Sequence, residues 1–574
     1  MANVVLVVLL ISGFHILPAP GEWFAPEMSG ATASGTDDPD LCDGWPVHVN
    51  TPGGGFPYTP TLFDITGDGA MEVFFNGGHT FGVKGDGSFL PGWPVTEMAH
   101  MGYGTTGQMP GPSAADMSGL GNPAVLWSLR DWYAGSSYMW CFNGRLPDGG
   151  NLGGFPAQAP DESSNALASP FVLGDPDGDG FLQAWSAHTL GNTGDYYRIS
   201  GFDHTGARLF TTDLDPNEQI LNLYFGDLEG NDQETFFAVT NLQGTFRLFS
   251  FRHDGEVEEG YPVSLYTPGG GYHMFGPPLV LDLDGDGSLE VIMGLNVGSV
   301  SHAMAVKHNG TPVPGFPITI ASQSQLFYLG LGDVTGDHEP ELIAFENHLG
   351  SAYRVFALSL STGEYLPGWP VPVPNWPKGF PTVVDVDNDG IQDIVFVTDG
   401  GQIYALSGQG AVLDGFPKAM AAPSISGVAA GDIDGDGLYE LVAVTWNGWA
   451  YAWNTQGVVA EGNSDWPMRG VDPRNTGIFR GAGGSTGVDP QAPMAVSLSV
   501  LANPSPGATE FLVPLETRGT LSVFDASGRL VSRIPAGTGG IVTWNPGAGD
   551  RNGVYFARLF CDSGAATVKF VLLR

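Results

Sequence analysis

The stretch DIDGDGLYELVA, residues 432–443, decides the fold. Asp432, Asp434 and Asp436 alternate with small or apolar residues, and Glu440 follows four positions after the last of them. Gly435 and Gly437 accept positive φ without steric cost, so the backbone can turn sharply and gather the three Asp side chains. The carbonyl of Leu438 can add an oxygen, and Glu440 closes the shell from the start of the apolar strand. Oxygen ligands at positions 1, 3, 5 and 9 of a tight loop describe a calcium site.

The same pattern recurs eight times. Loops begin at Asp64, Asp116, Asp175, Asp227, Asp282, Asp333, Asp385 and Asp432, with spacings of 52, 59, 52, 55, 51, 52 and 47 residues. A fixed period identifies a repeat architecture before any single residue does. Each loop runs into a strand such as EVFF, EVIMG or ELVAV. A second strand ends in a turn, as in AVKHNG near Val306 or YALSGQG near Tyr404. Most units close with Gly-aromatic-Pro, at Trp93-Pro94, Phe155-Pro156, Tyr261-Pro262, Phe316-Pro317, Trp369-Pro370 and Phe416-Pro417. A strand before the loop, as in PTVVDVD from Pro381, brings each unit to about four strands, the content of one propeller blade. The expected fold is therefore all-β, a β-propeller over residues 44–478 followed by a small sandwich. Eight blades are expected; seven is the alternative, reached by dropping the unit from Asp175, which lacks its Gly-aromatic-Pro. The apolar runs do not alternate, as expected where sheets are covered on both faces. An additional Gly44-Trp45-Pro46-Val47 reads as an outer strand donated to the last unit, and the segment around Trp466-Pro467-Met468 competes for that role.

Six loops carry enough oxygen for Ca²⁺. Asp282/Asp284/Asp286/Glu290, Asp385/Asp387/Asp389/Asp393 and Asp432/Asp434/Asp436/Glu440 are complete. Asp64/Thr66/Asp68/Glu72 and Asp333/Thr335/Asp337/Glu341 substitute one hydroxyl, and Asp175/Asp177/Asp179 ends in Gln183. The loop from Asp116 has Ala124 at position 9 and that from Asp227 has Thr235; these two are expected to hold their turns by hydrogen bonds alone. The ions are expected to be structural, about six in number, each tying a loop to the strand that follows it.

Charge supports this reading and excludes others. The formal net charge is −40. The six loops hold 21 of the 61 acidic residues, and carboxylates this close repel unless a cation neutralises them. Only 21 Lys and Arg are present, none before Lys84, so nucleic acid is not an expected partner. Cys42, Cys141 and Cys561 form no CxxC motif; a disulfide between Cys42 and Cys141 is one option and small buried hydrophobes the other. The run VVLVVLLI from Val4 suits a secretory leader within residues 1–33, too short to span a bilayer, and no transmembrane span is expected in the mature chain. Millimolar calcium outside the cell would fill weak loops that cytosolic levels leave empty.

The loop is similar to the first nine positions of an EF-hand, but a strand follows where that motif has a helix. The repeat resembles the FG-GAP/VCBS family, the calcium-loop propeller repeats also found in integrin α subunits, over roughly residues 44–478. Trp466-Pro467-Met468 followed by Asp472 and Asn475-Thr476-Gly477 is similar to the closing segment of many bacterial members. The resemblance implies a secreted or surface β-propeller that binds an extracellular glycan or protein, usually without catalysis.

Residues 479–495 read as a Gly/Ser/Pro linker. Its Gly483-Gly484-Ser485-Thr486-Gly487 matches G-x-S-x-G, but a nucleophile elbow needs a strand-to-helix turn that a linker does not supply. Residues 496–574 read as an immunoglobulin-like sandwich, with Asp525-Ala526-Ser527-Gly528 as a hairpin turn. Asn503-Pro504, Asp525, Gly528-Arg529, Trp544, Asn552-Gly553-Val554-Tyr555 and Lys569 are similar to the type A sorting domain of type IX secretion and to the FlgD Ig-like fold. That resemblance implies engagement of the type IX machinery and delivery to the outer surface of, or release from, a Gram-negative bacterium. A plain structural domain is the alternative.

No catalytic set can be assembled from the sequence. His79, His273 and His348 fall in loops, and Trp127, Trp132, Tyr133 and Trp140 cluster in one insertion where packing or sugar stacking would both use them. The expected role is a non-catalytic binding or adhesion module; a carbohydrate-active protein, binding or cleaving polysaccharide, is the alternative.

Overall fold

A computed structural model describes most of residues 38–479 and, further on, stretches between 498 and 573; residues 1–37, 50–58, 96–110, 160–168 and 480–497 and some shorter loops lie outside the described residues. The leader, the linker motif at Ser485, His348 and the side chains of His273, Trp132, Tyr133 and Trp140 fall among those. No helix occurs among the described residues, and so none is long and apolar enough to cross a membrane. Two compact units are present. The first takes in residues 1–115, 124–179 and 183–485, the second residues 116–123, 180–182 and 486–574.

In the first unit, eight small antiparallel sheets follow one another along the chain, one for each loop. The Asp385 sheet is typical. Pro377–Val384 leads into the loop, Asp393–Thr398 leaves it, Gln402–Leu406 returns, and Lys418–Ala419 lies outermost. The strand leaving each loop is buried on both faces, as the unbroken apolar runs require: every residue of Glu72–Asn76 and of Asp393–Thr398 is buried. The Asp175 unit, which lacks Gly-aromatic-Pro, nevertheless has its full four strands, from Val172–Gly174 to Arg208–Asp213. Its Trp185 stacks on Phe236 of the next sheet with ring centroids 4.2 Å apart. Seven aromatic-Pro bonds, including Trp45-Pro46, are cis. Their indoles staple neighbouring sheets: Trp93 Nε1 donates to Pro147 O at 3.1 Å and Trp369 Nε1 to Gly408 O at 2.8 Å.

The first and last sheets meet. Val47–His48 is the outer strand of the Asp432 sheet, pairing with Ala450 and Trp449. Trp45 Nε1 then reaches the first sheet, donating to Gly85 O at 2.7 Å. Leu62, Val73 and Phe75 of the first sheet share a core with Val442, Val444 and Ala450 of the last. A Cβ at Gly431 would lie 2.6 Å from Met71 Sδ, so glycine there permits the close approach.

The segment 463–479 does not supply an outer strand. It runs instead along the innermost strands. Ser464–Trp466 pairs with Pro377–Val384 of the Asp385 sheet, and Asp465 Oδ2 accepts from Asp333 N at 2.9 Å. Pro467 O accepts from Ala430 N, Pro473 O from Ala114 N, Arg474 O from Leu173 N and Thr476 O from Phe225 N. Ile478–Phe479 pairs in parallel with Leu279–Leu281. Seven sheets thus satisfy inner-strand donors or acceptors on this one segment.

Cys42 is a buried free thiol that donates to Asn454 Oδ1 at 3.3 Å, which settles it as a core residue rather than half of a disulfide. Trp127 is buried beside Trp93, so this member of the aromatic insertion packs.

The second unit contains a three-stranded sheet, with order Ser499–Val500, Thr509–Val513, Gly540–Trp544, and a four-stranded sheet, with order Leu530–Ala536, Gly519–Asp525, Gly553–Cys561, Gly564–Leu572. Both contribute to one core that includes Phe511, Trp544, Leu521, Tyr555 and Phe570.

Candidate metal centres

The loop backbone behaves as its glycines require. Positions 4 and 6 have positive φ in every candidate loop: Gly435 at 81° and Gly437 at 84°, for example. Asn388 at 61° and His338 at 69° stand in for glycine in two loops. The position-1 carboxylate fixes the turn by accepting backbone donors. Asp432 Oδ1 takes Gly435 N at 2.6 Å and Oδ2 takes Gly437 N at 2.9 Å; Asp64, Asp282 and Asp333 bond in the same way. Position 5 turns one oxygen back on the chain, as Asp436 Oδ1 accepts Leu438 N and Asp389 Oδ1 accepts Ile391 N.

The closing carboxylate is the chemically unusual member. It starts the buried strand, and one of its oxygens accepts the N–H of position 2: Glu440 from Ile433, Asp393 from Val386, Glu341 from Val334, Glu290 from Leu283 and Glu72 from Ile65, all within 2.8–3.1 Å. Burial first, opposed by that hydrogen bond, and then the neighbouring loop carboxylates push these groups up, to about 8 for Glu440, Asp393 and Glu341 and to about 7 for Glu72 and Glu290. The second oxygen is the informative one. Glu440 Oε1 and Glu290 Oε1 are buried without a hydrogen-bond partner, and so is Asp385 Oδ1. A desolvated oxygen without a partner costs free energy unless a cation or proton meets it.

Among the described residues, four groups of acidic oxygens converge to within 4.8 Å of one another: Asp175/Asp177/Asp179, Asp282/Asp284/Glu290, Asp385/Asp387/Asp393 and Asp432/Asp434/Glu440. In the last three, positions 1, 3 and 9 come together, whereas the position-5 residues Asp286, Asp389 and Asp436 are not in the tight set. Gln183 is spoken for in part, its Oε1 accepting the indole N–H of Trp185 at 2.9 Å. In the Asp64 loop, Thr66 Oγ1 donates to Glu72 Oε1 at 3.2 Å, while Asp68 accepts Ala70 N. Thr335 donates to Asp333 Oδ1 instead, and Asp337 accepts Glu339 N. The Asp227 loop keeps the turn with little charge: Asn231 N donates to Asp227 Oδ1 at 3.0 Å and Gln233 N to Asn231 Oδ1 at 3.0 Å. That agrees with the expectation of a hydrogen-bonded turn.

Two charged residues beside the loops were not among the sequence candidates. Lys307 Nζ lies 2.7 Å from Asp284 Oδ2 and 2.5 Å from Asp286 Oδ2. Asp465 is buried against the Asp333 loop, and that burial raises its carboxyl above the ordinary value. His79 is half-buried beside Phe81, burial holding its imidazole below the usual value.

The sequence profile of the FG-GAP-like repeat matches residues 385–443, from the Asp385 loop through the Asp432 loop and into its outgoing strand. No curated protein matches the chain. Among solved structures, BBS1N in its complex with ARL6DN is 11% identical, with a TM-score of 0.36 over 61% of this chain and 92% of that one. Sqt1 of Saccharomyces cerevisiae is 10% identical, with a TM-score of 0.30 over 58% of this chain and 93% of that one.

Proposed function

We propose that residues 44–478 close into an eight-bladed β-propeller that binds Ca²⁺ in its repeat loops and acts as a non-catalytic binding or adhesion module outside the cell. Eight consecutive sheets, the outer strand lent by Val47–His48 and the Trp45–Gly85 hydrogen bond support closure. The repeat profile over residues 385–443 supports the FG-GAP assignment, and its extension to the other units rests on their shared loop pattern.

The observation that carries the calcium reading is the buried, unpartnered oxygen of Glu440 and of Asp385, each within a group of three convergent carboxylates. Oxygen donors without nitrogen or sulfur suit a hard cation of flexible geometry. Asp432, Asp434 and Glu440 would hold one ion, and Asp385, Asp387 and Asp393 another. Asp175/Asp177/Asp179, Asp64/Thr66/Glu72 and Asp333/Thr335/Glu341 offer further sets. The ion neutralises a buried carboxylate that burial otherwise drives to protonate, and so joins each turn to the strand it feeds. The chain's own backbone donors hold the turn.

Loops carried on sheets are common sites of recognition, and an extracellular glycan or protein is the partner proposed for them. Residues 496–574, two sheets around Trp544 and Phe570, are proposed as the Ig-like sorting domain for type IX secretion, giving a surface or released location.

Titrating the chelated, purified chain with Ca²⁺ tests the metal reading; absence of any uptake ends it. A glycan and matrix-protein array with and without Ca²⁺ tests the binding role. Calcium-dependent capture without product release supports it, and new unsaturated sugar ends would replace it with lyase activity. Undiminished surface delivery after deletion of residues 496–574 would remove the sorting role.

A further inference from the structure

In the Asp282 loop a cationic side chain already lies among the acidic oxygens. Glu290 and Lys307 face each other across the hairpin formed by Glu290–Val297 and Val300–Lys307. From there the ammonium reaches Asp284 Oδ2 at 2.7 Å, Asp286 Oδ2 at 2.5 Å and, more distantly, Glu290 Oε1 at 3.8 Å. It therefore engages positions 3, 5 and 9 of the loop at once. The hydrogen bond from Lys307 and those from Ser288 hold the Asp286 carboxyl well below the usual carboxylate range. The two aspartates in turn hold Lys307 above its ordinary value.

No other described loop is arranged in this way. The residue opposite Glu341 is Ser359, and the residue opposite Glu440 is Asn454. In the Asp64 sheet, Val73 pairs with Val83, which puts Lys84 in the register of Glu72. The loop there has Thr66 at position 3, so it lacks one of the two carboxylates that grip Lys307.

We propose that Lys307 is the permanent counter-charge of the Asp282 loop, which therefore folds without a metal ion and stands outside the calcium-binding set. The proposal rests on the calcium reading of the other loops. An ammonium and a divalent cation cannot both use Asp284 and Asp286, because each needs those oxygens within about 3 Å and the two repel. The ammonium is tethered one strand away, so it meets the loop at an effective concentration on the order of millimolar or higher, whereas a free ion must first displace it. One unit of the repeat thus keeps its turn whatever the calcium level.

Native mass spectrometry of the calcium-titrated full chain tests this with wild type, Lys307→Met, Asp284→Asn and Asp434→Asn. Lys307→Met is expected to bind about one more ion per chain than wild type, because the six-or-more oxygens of a calcium shell become free to assemble. Asp284→Asn is expected to leave the count unchanged, while Asp434→Asn, its counterpart at position 3 of the Asp432 loop, lowers it by about one. Equal counts for wild type and Lys307→Met would overturn the proposal while leaving calcium in the other loops. Should Lys307→Met fail to fold, the Asp pair decides alone: equal losses from Asp284→Asn and Asp434→Asn place an ion in the Asp282 loop and overturn it. No calcium on any of these chains overturns both readings.

Discussion

The loops that begin at Asp432 and Asp227 make the same turn by different means. In both, the first Asp accepts the N–H of the residue four positions later, and a glycine at position 4 has positive φ: Gly435 at 81° and Gly230 at 68°. They part at position 9. Glu440 is fully buried with one oxygen unpartnered, whereas Thr235 is a half-buried hydroxyl within reach of Ser250 at 3.4 Å. Backbone hydrogen bonding is therefore enough to make the turn. A carboxylate carried into the strand, as at Glu440, loses its hydration and gains like-charged neighbours, so a cation or a proton must meet it.

The largest expected effect that separates these loops is metal removal. Excess chelator should lower the melting temperature of the chain by about 10 °C or more, since several ions each contribute on the order of 2–3 kcal/mol when well above their dissociation constants. Calorimetry with and without added Ca²⁺ measures this, and identical traces would erase the distinction between the loops. Next is Glu440→Gln. With calcium present it should lower the melting temperature by about 1 °C per kcal/mol lost, because the shift falls as the cooperative unit grows. In chelator it should be neutral or stabilising, because it removes a buried charge.

A third effect is pH dependence in chelator. Glu440, Asp393 and Glu341 titrate at about 8 in the folded chain, above ordinary values of 4.5 for Glu and 3.8 for Asp. The folded state then binds more protons than the unfolded state across this window. Their contribution is complete below the ordinary values and is lost as pH rises through about 8. Denaturant midpoints should fall between pH 5 and pH 8 without calcium and hold or rise with it. A rise in the metal-free series would show that these carboxylates are not desolvated. The smallest effect belongs to Asp227→Asn, about 1 kcal/mol or less from one weakened turn hydrogen bond, equal with and without calcium. A calcium-dependent difference there would mean that the Asp227 loop also holds an ion.

The repeat was legible because its period, its glycines and its buried strands are local. Eight loop starts predicted eight sheets, and Val47 was correctly read as a strand lent to the last of them. The Asp175 unit shows why the Gly-aromatic-Pro ending was a poor guide to counting: Arg208–Asp213 forms the outer strand without it. The sequence pattern weights four oxygens equally, whereas in the Asp282, Asp385 and Asp432 loops the structure converges positions 1, 3 and 9, and in the Asp432 loop position 5 serves an internal turn. Lys307 could have been found from register alone. A hairpin that pairs Val297 with Val300 must set Glu290 opposite Lys307. Asp465 could not, because nothing local ties it to Asp333, 132 residues away.

The inner segment 463–479 has a consequence for how the molecule is made. A ribosome delivers the eight loop-bearing units first, yet inner-strand groups at Ala114, Leu173, Phe225 and Ala430 meet their partners only once Pro467, Pro473, Arg474 and Thr476 have emerged. These pairings form only when nearly all of the first unit exists, so the segment 463–479 joins seven sheets late in synthesis. A chain stopped short of Asn463 would carry every Asp-rich loop and still lack the strand that pairs with their sheets.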